Sequence, residues 1–461
     1  MIFSGLKSVN TEEVINLFFW YAYLVLLVLI AFVSGSYKSD YWLMVSVGIY
    51  AYAAVYMIFC LCFERINFAA LRNAKTIMIL LLLALLWLAL QLLLPRQLFF
   101  EDYIFGQHFR PDWFELTLPL SVAAERTQWM LLSNVMVFVL FILSLNLLSH
   151  RQRVKELLWV LLAVGFLHAM LGIFAKYSGV YFVDKASLDG HFDAARGWFV
   201  NRNHFAAFVS LCLLSAIAMQ CKRAMAKGVK NDLQFFLKQI IKISTFAFTL
   251  GVVALFLSES RGAFLAFFAS FFLCVGLLMR HEIFRAQRCY FLFAIVFVLV
   301  GLSLFFGDGM VDRFKNDALN IGERQTQWLI TWQAIKQQFW LGYGGGSYEL
   351  VFQTFREYAG LRAAVYDQAH NDYLHIFLEQ GLIGLLLWLG FIAFVIRHIL
   401  LNYQQSKSTL TSSILLAGLI VITAILIQSL VDYPLQIMSI RCYFFVIVAL
   451  LIAVPHIKHE R

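Results

Sequence analysis

The sequence predicts an all-α protein that crosses a membrane about twelve times. Hydrophobic residues make up 62% of the 461-residue chain, only 14% of the residues are charged, and the mean hydropathy is +0.78. A soluble domain does not need that much apolar surface, whereas a bundle of spanning helices does. Apolar runs of about 17–25 residues also recur along the chain, and each can cross about 30 Å of hydrocarbon.

The predicted spans are separated by polar connections, and the sixth to eighth are short. The first run is preceded by NTEEVIN and is followed by no small-residue cleavage site, so we expect a membrane anchor rather than a removed signal peptide. No internal repeat or flexible linker is visible, which predicts one transmembrane domain over residues 1–461. The twelve spans are about 15–34, 42–62, 76–95, 129–148, 157–178, 204–220, 241–257, 262–279, 290–306, 374–396, 411–431 and 438–455.

The distribution of Lys and Arg predicts that both termini are cytoplasmic. One alternate set of short connections contains most of the basic residues, in stretches such as HRQRVKE and RHEIFRAQR. The opposite side receives two long connections, about 96–128 and 307–373. The net charge of +9 and the pI near 9.1 therefore reflect cytoplasmic loops that face anionic lipid, not nucleic-acid binding.

This topology predicts opposite reagent accessibility for two single cysteines in a cysteine-free background. Lys230→Cys should be protected from an impermeant maleimide in intact cells, whereas Asn320→Cys should be labelled. Labelling of the cysteine at position 230 before the cells are opened would overturn the topology.

The seven cysteines lie in predicted spans or at their cytoplasmic ends, so we expect no disulfide. The CLC stretch at 60–62 has neither the spacing nor the partners of a metal site. We therefore predict no metal and no cofactor.

Under this topology the unusual polar residues collect on the outer face, at one membrane depth. A bundle can bring four such clusters together although they are far apart in sequence. They are Arg196 with Asn201, Arg202, Asn203 and His204; Ser258 to Arg261 in the turn SESR; His370, Asn371 and Asp372; and Asp432 in SLVDYPLQ.

Outward arginines at headgroup depth are typical of an anion site, because the planar guanidinium matches phosphate oxygens. A histidine beside them can accept a proton at neutral pH. Together they suggest chemistry on a phosphate-bearing lipid. Arg261 could instead anchor a helix end to headgroups, but the very short SESR turn holds it rigidly and favours function. Arg196 and Arg202 could be ordinary loop charges, and of the two Arg196 is the better candidate.

The remaining polar residues have structural alternatives. His370 could cap a helix or lie in a core. Asn371 and Asp372 are good helix N-cap residues, and Asp432 could simply end its helix before a proline. Glu379, inside a span, should face the bundle interior or a partner.

The long outer loop contains two features that predict local structure. Trp328, Trp332, Ile335 and Phe339 form one apolar helical stripe, typical of a helix that lies across the bundle at the interface. The GYGGGSY stretch lacks the Lys-Ser/Thr of a phosphate-binding loop, so we interpret it as a tight turn.

Several stretches occur in the order seen in the bacterial O-antigen ligase and polymerase family: GWFVNRNHFAAF, SESRGAFLAF, WLGYGGGSYE, QAHNDYLHIFLEQGLIG and SLVDYPLQI. The resemblance covers about residues 190–455. It implies a metal-independent, inverting glycosyltransferase of the GT-C type in the bacterial inner membrane, with its active site facing the periplasm. The donor would be a glycan on undecaprenyl diphosphate. Carried onto this chain, the essential histidine is His370 and the diphosphate-binding arginines are Arg196 and Arg261, with Arg202 as a further candidate. Asn203, Asn371, Asp372, Asp432 and Glu379 are expected to support them.

The resemblance leaves three acceptors open: a second lipid-linked glycan, lipid A–core, or a protein serine. No additional soluble domain is visible that would recruit a protein, so surface-polysaccharide ligation or polymerisation is favoured. The competing hypothesis is a lipid-linked glycan flippase or other transporter. A transporter should have polar residues through the bilayer midplane and often two repeated halves, and this sequence shows neither.

Overall fold

The computed structural model describes residues 11–33, 39–94, 120–183, 194–224, 242–278, 318–356 and 366–457. The regular secondary structure within these ranges is helical, which confirms the predicted all-α class. The helices are α1 Thr11–Val33, α2 Ser39–Cys62, α3 Phe68–Asn73, α4 Lys75–Leu93, α5 Ala124–Leu147, α6 Arg151–Ser178, α7 Arg202–Ala224, α8 Ile243–Leu257, α9 Arg261–Leu278, α10 Ala318–Gln337, α11 Tyr348–Arg356, α12 Asp372–Gln405, α13 Thr409–Gln428 and α14 Met438–Ala453, with 3-10 turns at Pro434–Gln436 and Val454–His456.

Among the described residues, nine helices are long and apolar enough to cross a membrane, which makes this a multi-pass membrane protein. Two shorter apolar segments, Ile243–Leu257 and Arg261–Cys274, coincide with the predicted seventh and eighth spans. The predicted span 290–306 lies outside the described residues. Eleven of the twelve predicted spans therefore coincide with apolar helices.

The core of the bundle is formed by α7, α13 and α14, whose side chains are mostly buried on all sides. Glycines let helices approach closely where they cross. A Cβ added to Gly251 of α8 would lie 2.6 Å from Leu213 Cδ2 of α7, and one added to Gly418 of α13 would collide with Leu451 of α14. Small residues at such crossings are expected because lipid provides no hydrophobic driving force between apolar helices, so that their association depends on close van der Waals packing.

Helix α12 is broken near its outer end at Gly381, which has φ 65° and ψ −169°. The break frees backbone groups of the helix, and a buried backbone group without a partner costs several kcal/mol in a bilayer. Four backbone groups at the break have partners outside α12. The carbonyl oxygens of Leu378, Glu379 and Gln380 accept bonds from Tyr343 N (3.1 Å), Gly344 N (2.8 Å) and Trp87 Nε1 (2.8 Å), and Leu382 N donates to Phe339 O (2.9 Å).

The GYGGGSY stretch forms a packed turn, and its backbone N–H groups donate to the carbonyl groups at this break. Gly342, Gly344 and Gly346 all have positive φ. A Cβ on Gly342 would lie 2.5 Å from Glu379 O, so only glycine lets the turn reach the broken helix. The outer loop and the tenth predicted span are thus joined through their backbones.

Gly381→Ala should destabilise the fold strongly. Its positive φ alone would cost alanine about 1–3 kcal/mol, and the new Cβ would also collide with Trp340 O. We expect little monodisperse protein after purification and a lower unfolding midpoint by tryptophan fluorescence. Gly390→Ala in the same helix is the control, because its nearest neighbour is Leu80 Cδ2 at 3.8 Å. Equal stability of the two variants would contradict the conclusion that close contacts hold the break at Gly381.

Candidate functional site

His370 lies immediately before α12, and its backbone has a positive φ of 46°. The preceding residues are held by α10, where Trp328 Nε1 donates to Ala369 O at 2.9 Å. His370 Nδ1 lies 3.5 Å from Asp432 Oδ1, and the imidazole meets the Tyr433 ring edge-on at 5.0 Å between centroids. The His370 side chain remains 30% exposed, so a substrate can reach it.

Asp432 is buried in the turn between α13 and the 3-10 turn. Burial by itself raises the pKa of the Asp432 carboxyl, but the facing imidazole of His370 and the nearby positive charges outweigh it. The net result lowers the pKa of Asp432 from 3.8 to about 2. Among those charges, Arg324 also donates to Val431 O at 2.8 Å. His204 contributes too, and the centre of its ring lies 4.8 Å from the centre of the Tyr433 ring.

The lowered pKa of Asp432 predicts how stability depends on pH. A carboxyl whose pKa is lower in the folded state stabilises the fold above its unfolded pKa and loses that contribution as pH falls towards its folded pKa. The unfolding midpoint of wild type should exceed that of Asp432→Asn at about pH 5. The difference should shrink between 3.8 and about 2. A difference that grows on acidification would contradict the assignment.

Asn371 and Asp372 fix the start of α12. The Asn371 side chain accepts bonds from Tyr373 N and Leu374 N, both at 3.0 Å, so it is the N-cap that the sequence suggested. The buried Asp372 carboxylate accepts bonds from Ser429 Oγ (2.7 Å), Leu435 N (3.2 Å) and Gln436 Nε2 (3.2 Å). These bonds tie the His370 segment to the Asp432 turn, so both residues position the site rather than face a substrate.

Glu379 is buried and faces protein partners, as expected for an intramembrane carboxylate. Its Oε1 lies 3.2 Å from His375 Nε2 and accepts a bond from Tyr348 N at 3.1 Å. Tyr348 begins α11 directly after the glycine turn. Glu379 therefore holds the outer loop against α12.

Arg261 begins α9, directly after the tight turn formed by Ser258, Glu259 and Ser260, in which Glu259 has φ 54°. The next residue, Gly262, lies close to the turn that contains Asp432. A Cβ added to Gly262 would lie 3.1 Å from Val431 Cγ2, and Val431 immediately precedes Asp432. The arginine turn and the His370–Asp432 pair are thus neighbours through Val431.

Arg196 is fully buried next to the same turn. Ala195 N donates to Leu257 O at 2.8 Å, which fixes the segment to the end of α8. Arg196 Nη1 donates to Val200 O at 2.9 Å, and its guanidinium carbon lies 5.9 Å from the centre of the Tyr181 ring.

Arg202 and Asn203 start α7 and have protein contacts. Arg202 Nη1 lies 4.0 Å from Glu259 Oε2, and Lys176 Nζ lies 2.9 Å from Glu259 Oε1. Asn203 O accepts a bond from Gln428 Nε2 at 3.2 Å. Arg202 therefore shares the Glu259 carboxylate with Lys176.

Sequence reasoning missed three residues around this site: Arg324, Tyr433 and Lys176. Tyr433 was visible in the DYP stretch, and Arg324 lies one turn before the Trp328 stripe. Nothing in the sequence indicated that α10 would place Arg324 against the Asp432 turn. Within the described residues, no three His, Cys, Asp or Glu side chains group as a metal site.

Comparison with known proteins identifies one domain. Residues 246–389 match the family model described as O-antigen ligase, which confirms the resemblance for this segment. The segment contains Arg261, His370 and Glu379, whereas Arg196, Arg202, Asn203 and Asp432 lie outside it. No curated protein matched the chain.

Proposed function

We propose that this chain, which carries an O-antigen ligase domain at residues 246–389, transfers a glycan from undecaprenyl diphosphate to an acceptor hydroxyl at the periplasmic face of the inner membrane. The observation that carries the proposal is the His370–Asp432 pair, with Nδ1 and Oδ1 3.5 Å apart, next to the arginine turn. A partly exposed base and a cluster of arginines then lie on one face, as transfer from a lipid diphosphate requires.

His370 acts as the general base. Its Nδ1 faces the Asp432 carboxylate, which leaves Nε2 to accept the proton from the acceptor hydroxyl. The hydroxyl oxygen attacks the anomeric carbon as the bond from that carbon to the diphosphate oxygen breaks, and the electron pair leaves with the diphosphate. Asp432 remains ionised and stabilises the imidazolium that forms.

Arg261 and Arg196 stabilise the leaving diphosphate. Charge-assisted bonds from a guanidinium to a desolvated phosphate are about twice as strong as neutral ones, and they act where negative charge develops. A single displacement inverts the anomeric configuration. Arg202 contributes less, because its guanidinium already lies near Glu259.

The test uses purified protein in lipid nanodiscs with a lipid-linked glycan and, separately, a second lipid-linked glycan, lipid A–core or a serine-containing protein. Transfer should release undecaprenyl diphosphate and shift the acceptor's mass by the glycan. A transporter would move the donor across vesicles without releasing the diphosphate, and that outcome would overturn the proposal.

A further inference from the structure

A cavity of about 120 Å³ lies between α4, α5, α12 and α14, away from the arginine turn. Its walls are mostly apolar, with Leu80 to Leu88 on α4 and Met130 to Phe138 on α5. Each stretch covers nine residues, a rise of about 12 Å along its helix axis. The lining of the cavity therefore extends along the spans, in the direction that a hydrocarbon chain takes in a bilayer.

One end of this cavity is polar, and its charge comes from Arg441 in the first turns of α14. Arg441 Nη1 donates to Asn134 Oδ1 at 3.0 Å. The buried Nε of Arg441 has no hydrogen-bond partner in the described part of the chain. Gln380 and Gln436 line the same cavity. An arginine inside a spanning helix is costly, and such residues usually have a partner or a function.

Asp372 and Glu379, two carboxylates whose charges act on this arginine, have other hydrogen-bond partners. Asp372 accepts three hydrogen bonds, and one of them comes from Gln436, a neighbour of Arg441 in the cavity wall. Glu379 is engaged with His375 and Tyr348. An anion from outside the protein would accept a hydrogen bond from Arg441 Nε, which has no acceptor among the described residues.

We propose that this cavity binds the hydrocarbon chain of an anionic lipid, with its phosphate on Arg441, and that this lipid carries the acceptor hydroxyl. The assignment rests on the proposed function, in which Arg196 and Arg261 hold the donor. Gln436 links the polar end of the cavity to Asp372, two residues from His370. The donor arginine turn belongs to α9, which packs mainly on α13 and α7.

This arrangement brings two lipids to one histidine from different sides of the bundle. A lipid-linked acceptor needs a chain site next to the catalytic histidine, whereas a protein serine needs none. The cavity therefore favours a second lipid-linked glycan or lipid A–core as acceptor over a protein.

The first test labels the cavity with phosphatidic acid that carries a diazirine on one acyl chain, in phosphatidylcholine nanodiscs. Labelled peptides should come from α4 and α12, and Arg441→Gln should lose most of the label. Diazirine-bearing diacylglycerol, which has the same chains without phosphate, should label weakly. Equal labelling by both probes, unaffected by Arg441→Gln, would overturn the role of Arg441.

The second test separates a substrate lipid from a bulk lipid. An unlabelled lipid-linked acceptor glycan should compete with the probe more strongly than phosphatidylglycerol does at the same concentration. Equal competition by phosphatidylglycerol would make the cavity a site for bulk lipid and overturn the acceptor assignment.

The third test is kinetic. Arg441→Gln should raise the KM for a lipid-linked acceptor roughly 10-fold or more, with the donor KM unchanged and partial rescue by Arg441→Lys. Arg397→Gln, on the exposed surface of α12 near its cytoplasmic end, is the charge control. Ala84→Trp fills the cavity without touching Arg441 and should raise the same KM, whereas Ala393→Trp on the lipid-facing surface should not.

The two proposals fail in different ways. If wild-type protein releases no undecaprenyl diphosphate with any acceptor, the proposed function fails. If wild type transfers normally and both Arg441→Gln and Ala84→Trp keep the acceptor KM, only the acceptor site fails.

Discussion

His370→Asn should reduce glycan transfer by about 10²–10⁴-fold, the contribution expected of a positioned general base. Asparagine is the informative replacement because it tolerates the positive φ of 46° that His370 adopts, so the backbone before α12 is preserved. Its amide cannot accept the proton of the acceptor hydroxyl at neutral pH. The measurement is the initial rate of undecaprenyl diphosphate release, with donor binding recorded on the same preparation.

His398→Asn is the matched control, since it makes the same change in α12 near its C-terminal end. It should keep the wild-type rate. If His370→Asn retained full transfer, His370 would be structural, and the proton would leave through His204, Asp432 or solvent.

Arg261→Lys should lower the transfer rate roughly 10- to 100-fold, and Arg261→Ala should lower it further. Lysine keeps the positive charge but loses the planar pair of donors that matches a diphosphate. Because the leaving diphosphate is then less well stabilised, we expect kcat of the Lys variant to fall even at saturating donor. The measurement is kcat and donor KM at matched protein levels.

Arg126→Lys is the control for this substitution, because Arg126 is an exposed arginine at the start of α5 whose partner is Glu349. Its transfer rate should be unchanged. Normal turnover of donor by Arg261→Ala would remove Arg261 from the anion site, although His370 could still be the base.

The sequence indicated which residues belong to the candidate site, but it did not indicate which of them contact each other. His370 and Asp432 were both recognised, but their pairing across 62 residues depends on how α12 and α13 pack. Asn371 was recognised as a cap from its residue type, since capping is a local interaction. Asp372 gave no local signal for its bonds to Ser429, Leu435 and Gln436, which come from another part of the chain.

The spans and the predicted outer face were determined by the sequence alone, because hydropathy and the Lys/Arg bias act along the chain and need no tertiary contact. Only the tertiary structure decided the lateral arrangement: the clamp on Gly381, the meeting of Gly262 with Val431, and the position of Arg441 in its cavity. Lipid tails are as apolar as leucine, so hydropathy does not select which helices become neighbours. Close packing at glycines and hydrogen bonds between helices make that selection, and both depend on side chains that are distant in sequence.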